Sequence, residues 1–237
     1  MAPSVQLTVA SYNIRKAIGL DRRRDPDRIL AVLRELDADV IALQEADRRF
    51  GRRSSVLPLT AIEDYTPYRP VPLHMPADGI GWHGNAILVR REIAVTQAVP
   101  VRLPVIEPRG AVLAGLSIGG RRMRVVGAHL DLSGLRRRQQ VRSILHHLDC
   151  EDDCPTVIMG DFNEWARHGG CFREFGHAWR VLAPGSSFPS RRPVAQLDRI
   201  VTTGHWQVHG AWVHHSALSA VGSDHLPVMA RLELMKK

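Results

Sequence analysis

The segment Gly160-Asp161-Phe162-Asn163 places a carboxylate and a carboxamide two positions apart, directly after the apolar run 156–159. Apolar runs of this length that are bounded by turn residues are typical of buried strands. Side chains at positions i and i+2 of an extended chain point the same way. Asp161 and Asn163 would therefore face one site and could hold a water molecule, a metal ion or a phosphoryl oxygen. A strand that ends in an Asx-turn explains the same residues, because Gly, Asp and Asn are ordinary turn residues.

Four other segments with the pattern of a buried strand also end at polar side chains that could do chemistry. The alternating segment 5–14 delivers Asn13, the apolar run 40–44 ends at Glu45, and the segment 124–131 delivers His129. Asp224 and His225 precede the last apolar run, and they can serve one site only if the backbone bends between Gly222 and Pro227. Five such ends suggest a single mouth where the strands converge.

The residue types at this mouth limit the chemistry. Hard oxygen ligands without cysteine favour Mg²⁺, with Mn²⁺ as an alternative, over zinc. Two histidines with a spare aspartate suit general acid–base catalysis. The set therefore predicts metal-assisted phosphoester hydrolysis, in which a metal ion polarises the phosphoryl group and a histidine activates water.

Helices and further strands must position these ends. Asp25 followed by Pro26 predicts the start of a helix that ends near Asp37, and Ser133 caps a second helix whose first turn carries Arg136-Arg137-Arg138. Three arginines at the amino end oppose the helix dipole, and a phosphate-facing role is one explanation for them. Further strands are predicted at 84–89, 93–106, 111–118 and 197–201, while 47–83 are predicted to be loop-rich and 164–196 irregular. Strands alternating with helices indicate an α/β or α+β fold in one domain over residues 1–237.

The amino-acid composition indicates which classes of molecule could bind this chain. The chain of 237 residues carries a net charge of +8, nearly all of its positive charge is arginine, and its aromatic content is 5%. Arginine suits phosphate contacts, so nucleic acid or anionic lipid is an expected partner, although an arginine-favouring genome explains the charge equally well. No apolar run reaches the length of a membrane span and the first residues lack a signal-peptide pattern, so a cytoplasmic monomer is expected. Cys150 and Cys154 have a spacing that zinc can use, but no second pair follows, and free thiols are predicted.

In this order the motifs resemble the endonuclease/exonuclease/phosphatase superfamily, which includes deoxyribonuclease I, apurinic endonucleases and sphingomyelinases. The resemblance implies a deoxyribonuclease-I-like, four-layered α/β/β/α sandwich with two packed, mostly antiparallel sheets and the site at their strand ends. The motifs that carry it are Tyr12-Asn13-Ile14-Arg15, Leu43-Gln44-Glu45, Gly84-Asn85-Ala86-Ile87-Leu88, Ala128-His129-Leu130, Gly160-Asp161-Phe162-Asn163, Leu197-Asp198-Arg199-Ile200 and Ser223-Asp224-His225-Leu226-Pro227.

The same resemblance implies which residues bind the metal ion and the phosphate. Glu45 would be the principal Mg²⁺ ligand, with Asn13 beside it and Asp224 contributing directly or through water. Arg15 and Asn85 would contact the substrate phosphate.

Roles in catalysis are implied for five residues. Asp161 would position or deprotonate the attacking water, and Asn163 would bind a phosphoryl oxygen. His225 would be the general base or would hold a phosphoryl oxygen, with Asp198 orienting it and favouring its protonated form. His129 would stabilise the developing charge or protonate the leaving oxygen. Whether Asp161 or His225 is the base stays open.

Two departures from apurinic endonucleases argue against abasic-site specificity. Arg15 stands where those enzymes have an acidic or amide residue, and Leu197-Asp198-Arg199 lacks their aromatic neighbour. The sequence therefore predicts a Mg²⁺-dependent phosphodiesterase that acts on DNA or RNA, with a phospholipid or small-molecule phosphoesterase as the alternative. A non-catalytic binding module is disfavoured, because every expected catalytic position holds a competent residue.

Overall fold

The computed structural model describes residues 4–48, 54–73, 79–104, 109–149 and 153–235. Within these residues the chain forms two six-stranded sheets and four α-helices. The strands are β1 Gln6–Asn13, β2 Val40–Gln44, β3 Tyr68–Pro70, β4 Ala86–Arg90, β5 Ala94–Val101, β6 Ala111–Ile118, β7 Arg121–His129, β8 Thr156–Asp161, β9 Trp179–Leu182, β10 Asp198–Thr203, β11 Trp206–Val213 and β12 Val228–Leu234. The helices are α1 Pro26–Leu36, α2 Leu59–Tyr65, α3 Gly134–Asp149 and α4 Ser219–Gly222, and 3₁₀ turns lie at Arg15–Ala17 and Gly170–Glu174.

The strand order places the polar residues of neighbouring strands at one end of each sheet, on its central strands. The first sheet has the order β11-β12-β1-β2-β4-β3 and the second β5-β6-β7-β8-β10-β9. Each contains one parallel pair, β1 with β2 and β7 with β8, and the remaining pairs are antiparallel. In register, Asn13 lies opposite Gln44, and Asp161 lies between His129 and Asp198. The carboxyl ends of both parallel pairs therefore carry the polar residues.

Three apolar clusters show the layering of the sandwich. On β1, Leu7 and Val9 pack into the cluster between the sheets, whereas Ala10 and Tyr12 join the cluster under α1. A third cluster lies between the second sheet and α3. Since both faces of the central strands are buried, their sequences read as nearly continuous apolar runs. The expected four-layered sandwich with mostly antiparallel sheets is confirmed.

Both predicted helices form, and α1 has the expected ends. The Asp25 side chain accepts a hydrogen bond from the Arg28 N–H at 3.0 Å, and Asp37 adopts the left-handed conformation after the last turn. In α3 the arginines find acidic partners in the segment after β8: Arg137 pairs with Glu164 at 3.2 Å and Arg138 with Glu174 at 2.6 Å. These ion pairs offset the unfavourable charge at the amino end of α3 without a phosphate.

The irregular regions hold more structure than the sequence predicts. The segment 47–83 contains α2 and β3, and the segment 164–196 contains a 3₁₀ turn and β9. These short elements depend on their neighbours, because β3 is held by β4 and β9 by β10. The strand β11 was also not predicted. The expectation of one domain over 1–237 stays a prediction.

The described residues include two of the three cysteines and the four α-helices. Cys154 and Cys171 are free thiols, and Cys150 lies outside the described residues. Among the described residues, no helix has the length and apolar character needed to cross a bilayer.

Candidate active site

Asp161 is the centre of a buried cluster at the end of β8. Its Oδ2 atom accepts a hydrogen bond from Asn13 Nδ2 at 3.0 Å and lies 3.5 Å from His129 Nε2 and 3.7 Å from His225 Nε2. Its Oδ1 atom accepts the Asn163 N–H at 2.9 Å, which closes an Asx-turn. The two explanations of this segment thus coexist, because one carboxylate oxygen makes the turn while the other faces the histidines.

His225 is held by groups from the second sheet and its connecting loop. Its Nδ1 donates to Asp198 Oδ2 at 2.9 Å, the Ser187 hydroxyl donates to the same oxygen, and the Phe188 ring packs 4.8 Å from the imidazole between centroids. The predicted bend before β12 is present: the His225 N–H donates to Ser223 Oγ, whose hydroxyl donates to the Asn13 carbonyl. This bend joins the two sheets at the site. We call His129, Asp161, Asp198 and His225 the histidine pocket.

The two histidines of the pocket have opposite pKa shifts and therefore different protonation states. Burial lowers the pKa of His129 to about 3, and the nearby Asp161 carboxylate opposes this shift only in part. Burial acts in the same direction on His225, but the Asp198, Asp161 and Asp224 carboxylates raise the pKa of His225 to about 10. At neutral pH the pocket therefore contains one neutral imidazole and one imidazolium.

A second group of carboxylates lies at the end of the first sheet. Glu45 follows β2, and its Oε2 accepts a hydrogen bond from the Lys16 ammonium. Asp224 Oδ2 lies 3.2 Å from Arg15 Nε. The side chains of Glu45 and Asp224 are 27% and 30% exposed, against 2% for Asp161 and 0% for Asp198. We call Glu45 and Asp224 the carboxylate rim.

Two donor sets are candidates for a divalent metal. Members of the superfamily that the motifs resemble are typically metal-dependent, and the ligand atoms of Asp161, Asp198 and His225 all lie within 4.8 Å of one another. However, Asp198 Oδ2 is already hydrogen-bonded to His225 and Ser187. The rim is more accessible, and Glu45 already holds a cation, the Lys16 ammonium. Its oxygen donors therefore suit a hard ion.

The three residues predicted to bind phosphate differ in what their side chains can offer. Asn163 Nδ2 donates to the Leu130 carbonyl and Asn85 Nδ2 to the Gly110 carbonyl, both at 2.9 Å. The buried Oδ1 atom of Asn85 has no hydrogen-bond partner in the described structure, and this atom is an acceptor rather than a donor. Arg15 is 39% exposed and keeps guanidinium donors for a phosphate. The phosphate roles of these residues stay predictions.

Several residues of the site were missed in the sequence. Lys16 follows the Asn13 motif directly, and its signal was that it is the only lysine before position 236 in a chain rich in arginine. Ser187 and Phe188 lie in the segment predicted to be irregular, and no pattern there pointed to His225. Trp165 follows Asn163 by two positions and is 66% exposed, with its ring 6.3 Å from that of Phe188.

Known proteins resemble this chain in sequence and in fold. Residues 10–225 match the Endonuclease/Exonuclease/phosphatase family. An endonuclease/exonuclease/phosphatase family protein from Bacteroides thetaiotaomicron is 17% identical with a TM-score of 0.77, covering 99% of this chain and 100% of that one. TDP2 from D. rerio, solved with a single-strand DNA product, is 15% identical with a TM-score of 0.74 and coverages of 96% and 98%. A mannosyl-6-phosphatase from Bacteroides thetaiotaomicron is 19% identical with a TM-score of 0.72 and coverages of 95% and 99%. No curated protein sequence matches the chain.

Proposed function

Because the chain belongs to the endonuclease/exonuclease/phosphatase family and is thus a phosphoester-hydrolysing enzyme, we propose that it is a Mg²⁺-dependent phosphodiesterase acting on nucleic acid, with Mn²⁺ as an alternative ion. The observation that carries this proposal is the convergence on Asp161. One carboxylate oxygen there faces an amide donor, a neutral histidine and a protonated histidine. Such a constellation can orient a water molecule and stabilise a negatively charged phosphoryl group at once.

Glu45, with Asn13 and Asp224 beside it, is proposed to hold the metal ion, which would polarise the phosphoryl group. The Glu45 carboxylate supports this assignment because it is accessible and already accepts a cation. Arg15 at the same rim is proposed to contact a phosphate oxygen of the substrate.

Asp161 is the proposed base. A histidine with a pKa of about 10 is protonated at neutral pH and cannot accept a proton from water, which argues against His225 in that role. Its Nε2–H would instead donate to a phosphoryl oxygen, and Asp198 would keep the ring charged and oriented. The Oδ2 atom of Asp161, which faces both histidines, is an acceptor that can take the proton from water.

His129 is proposed to stabilise charge through a neutral N–H rather than to deliver a proton. Its pKa of about 3 keeps the imidazole uncharged at neutral pH. A neutral imidazole N–H in a buried site still donates a hydrogen bond to the oxygen where negative charge develops. Asn163 is proposed to bind a phosphoryl oxygen beside it.

Nucleic acid is the first proposed substrate class because the chain is strongly basic. The chain carries a net charge of +8 that is almost entirely arginine, and arginine binds phosphate groups in a bidentate manner. A backbone of repeated phosphates would use this charge along its length.

A phospholipid or small-molecule phosphoester is the second candidate, and exposed apolar side chains near the site favour it. Leu132, between β7 and α3, and Leu135, in the first turn of α3, are 66% and 67% exposed, and Trp165 after β8 is similarly exposed. Arg137 joins the two segments, since it donates to the Leu132 carbonyl and to Glu164. Apolar side chains beside a phosphoesterase site suit a substrate with an apolar part.

A substrate panel tests the proposal. Single- and double-stranded DNA, RNA, bis(4-nitrophenyl) phosphate and dispersed phospholipid are each incubated with Mg²⁺, Mn²⁺ or a chelator, using the intact protein and His225→Ala. We expect hydrolysis of DNA or RNA that requires the metal and is lost in His225→Ala. Activity on phospholipid without cleavage of nucleic acid would replace the first substrate class by the second, and undiminished activity in the chelator would contradict the metal assignment.

A further inference from the structure

Two adjacent basic residues each cover one carboxylate of the rim. The Lys16 ammonium contacts Glu45 Oε2, and Arg15 Nε lies 3.2 Å from Asp224 Oδ2. The proposed function assigns Glu45 as the principal metal ligand. The protein therefore supplies its own monovalent cation to the carboxylate at which a divalent ion is proposed to bind.

The backbone positions Lys16 for this contact. The Lys16 N–H donates to the Glu45 carbonyl at 3.0 Å, so the two residues are tied independently of their side chains. Arg15, Lys16 and Ala17 have φ values of 46°, 56° and 58°, and Glu45 has a φ of 54°. Left-handed conformations of non-glycine residues are unfavourable and persist where surrounding structure imposes them, often at functional sites. The chain thus maintains a strained turn that places an ammonium beside a carboxylate.

The residue type and the exposure suit a contact that can be released. Apart from Lys236 and Lys237 at the C-terminus, Lys16 is the only lysine of the chain. An ammonium is a point charge on a flexible stem, whereas a guanidinium binds a carboxylate through a rigid fork. The Lys16 and Glu45 side chains are 28% and 27% exposed, so the ammonium can move into water when it leaves the carboxylate.

We propose that Lys16 is an internal competitor for the metal ion at Glu45. In the metal-free protein the ammonium neutralises the carboxylate, and a divalent ion must displace it in order to bind. The metal affinity is then the intrinsic affinity of the rim reduced by the cost of breaking the Lys16–Glu45 pair and of bringing two positive centres together. Lys16 would thereby keep the rim neutral until a divalent ion arrives. This inference depends on the proposed metal role of Glu45.

Metal binding alone, without substrate, tests the inference. The protein is freed of metal by chelation and dialysis, and Mn²⁺ is titrated while free Mn²⁺ is measured by electron paramagnetic resonance, with calorimetry as a second measurement. Lys16→Met removes the competing charge, and Lys16→Gln is a second variant in case the methionine disturbs folding. We expect the Mn²⁺ dissociation constant of both variants to fall by roughly three- to tenfold, because each variant removes both the ion pair that the metal must break and the repulsion between the ammonium and the divalent ion.

Two control variants separate this effect from general charge. Lys16→Arg keeps a cation at the position, and Arg142→Met removes a cation that pairs with Glu174, outside the proposed site. Lys16→Arg should bind Mn²⁺ no more tightly than the unaltered protein, because a guanidinium holds the carboxylate at least as firmly as an ammonium does. Arg142→Met should bind Mn²⁺ within about twofold of the unaltered protein. Equal tightening in Arg142→Met would overturn the inference, because it would make the effect one of net charge.

The outcomes distinguish this inference from the proposed function. If the unaltered protein and the Lys16 variants bind Mn²⁺ equally well, the metal site stands and the competition is wrong. If affinity falls in Lys16→Met and Lys16→Gln, Lys16 supports metal binding and the competition is likewise wrong. If no protein binds Mn²⁺, the metal assignment of Glu45 and the inference are both wrong.

Discussion

The histidine pocket and the carboxylate rim satisfy their charges in different ways. In the pocket, the Asp161 and Asp198 carboxylates lie against histidines and hydrogen-bond donors from other strands and connecting segments, with side chains at most 2% exposed. In the rim, Glu45 and Asp224 are 27% and 30% exposed, and each pairs with one of two adjacent basic side chains from one short turn. A buried charge requires permanent partners, whereas an exposed ion pair contributes little and can be exchanged for a ligand.

This difference suggests a division of labour. Fixed partners set the proton positions in the pocket before the substrate binds, which is what preorganised catalysis requires. The partners in the rim can be exchanged for ligands. Its carboxylate oxygens can therefore bind a metal ion, and Arg15 can bind a phosphate. The comparison therefore predicts that pocket substitutions impair the chemical step, while rim substitutions change the binding of ions and substrate.

The largest expected effect is that of Asp161→Asn in the pocket. The substitution conserves shape but removes the carboxylate on which Asn13, His129 and His225 converge. We expect kcat for phosphodiester hydrolysis to fall by about 10²–10⁴-fold, the usual range for loss of a general base. Circular dichroism should show an unchanged fold. A variant that retained a tenth of the activity would exclude Asp161 as the base.

The next largest effect is expected from Glu45→Gln on metal binding. Removing the accessible carboxylate should weaken Mn²⁺ binding by at least about tenfold, whereas Asp198→Asn, the matched change in the pocket, should leave it within about threefold. Calorimetric titration of both variants measures the difference. The reverse order would place the metal among Asp161, Asp198 and His225.

Most of the fold could be predicted from the sequence. The strands buried on both faces read as apolar runs, and Asp25 with Pro26 marked the start of α1. Elements that depend on their neighbours could not be predicted. β9 has four residues held by β10, and β11 contains an irregularity between Val208 and Gly210 that interrupts its alternation.

The site could be predicted as a set of residues but not as a set of contacts. The polar residues at the strand ends include Asn13, His129, Asp161 and His225, and the structure brings these four together. The opposite protonation of the two histidines depends on burial and on the number of carboxylates around each ring, which the sequence does not contain. The cover of the rim by Arg15 and Lys16 depends on three consecutive left-handed residues, for which no glycine gives a signal.

The pH dependence of stability should separate the two histidines of the pocket. Since the pKa of His225 rises from 6.5 to about 10 on folding, its stabilising contribution is fully present below pH 6.5 and is lost as the pH rises towards 10. His225→Asn should therefore lower the free energy of unfolding by about 3 kcal/mol at pH 7, and by progressively less towards pH 10.

His129 should act at the opposite end of the pH range. Its pKa falls from 6.5 to about 3 on folding, so the unfolded chain binds a proton that the folded protein refuses, and stability declines as the pH falls from 6.5 towards 3. His129→Asn should flatten this acid limb. Urea unfolding between pH 4 and pH 10 measures both variants. Parallel pH profiles for the two variants would contradict the assigned protonation states.

The smallest effect is expected from Arg15→Gln, which tests whether the rim acts through binding alone. The Arg15 side chain is 39% exposed and pairs with Asp224 at 3.2 Å, so its loss leaves an accessible carboxylate that water can solvate. We expect KM for a nucleic acid substrate to rise by roughly three- to tenfold through loss of one phosphate contact, with kcat nearly unchanged. Arg142→Gln, which removes an arginine paired with Glu174 outside the proposed site, controls for net charge and should leave both constants unaltered. An equal fall in kcat and kcat/KM would instead mean that Arg15 contacts the substrate only in the transition state. Arg15 would then act in the chemical step, as the residues of the pocket do, although it pairs with Asp224 of the rim.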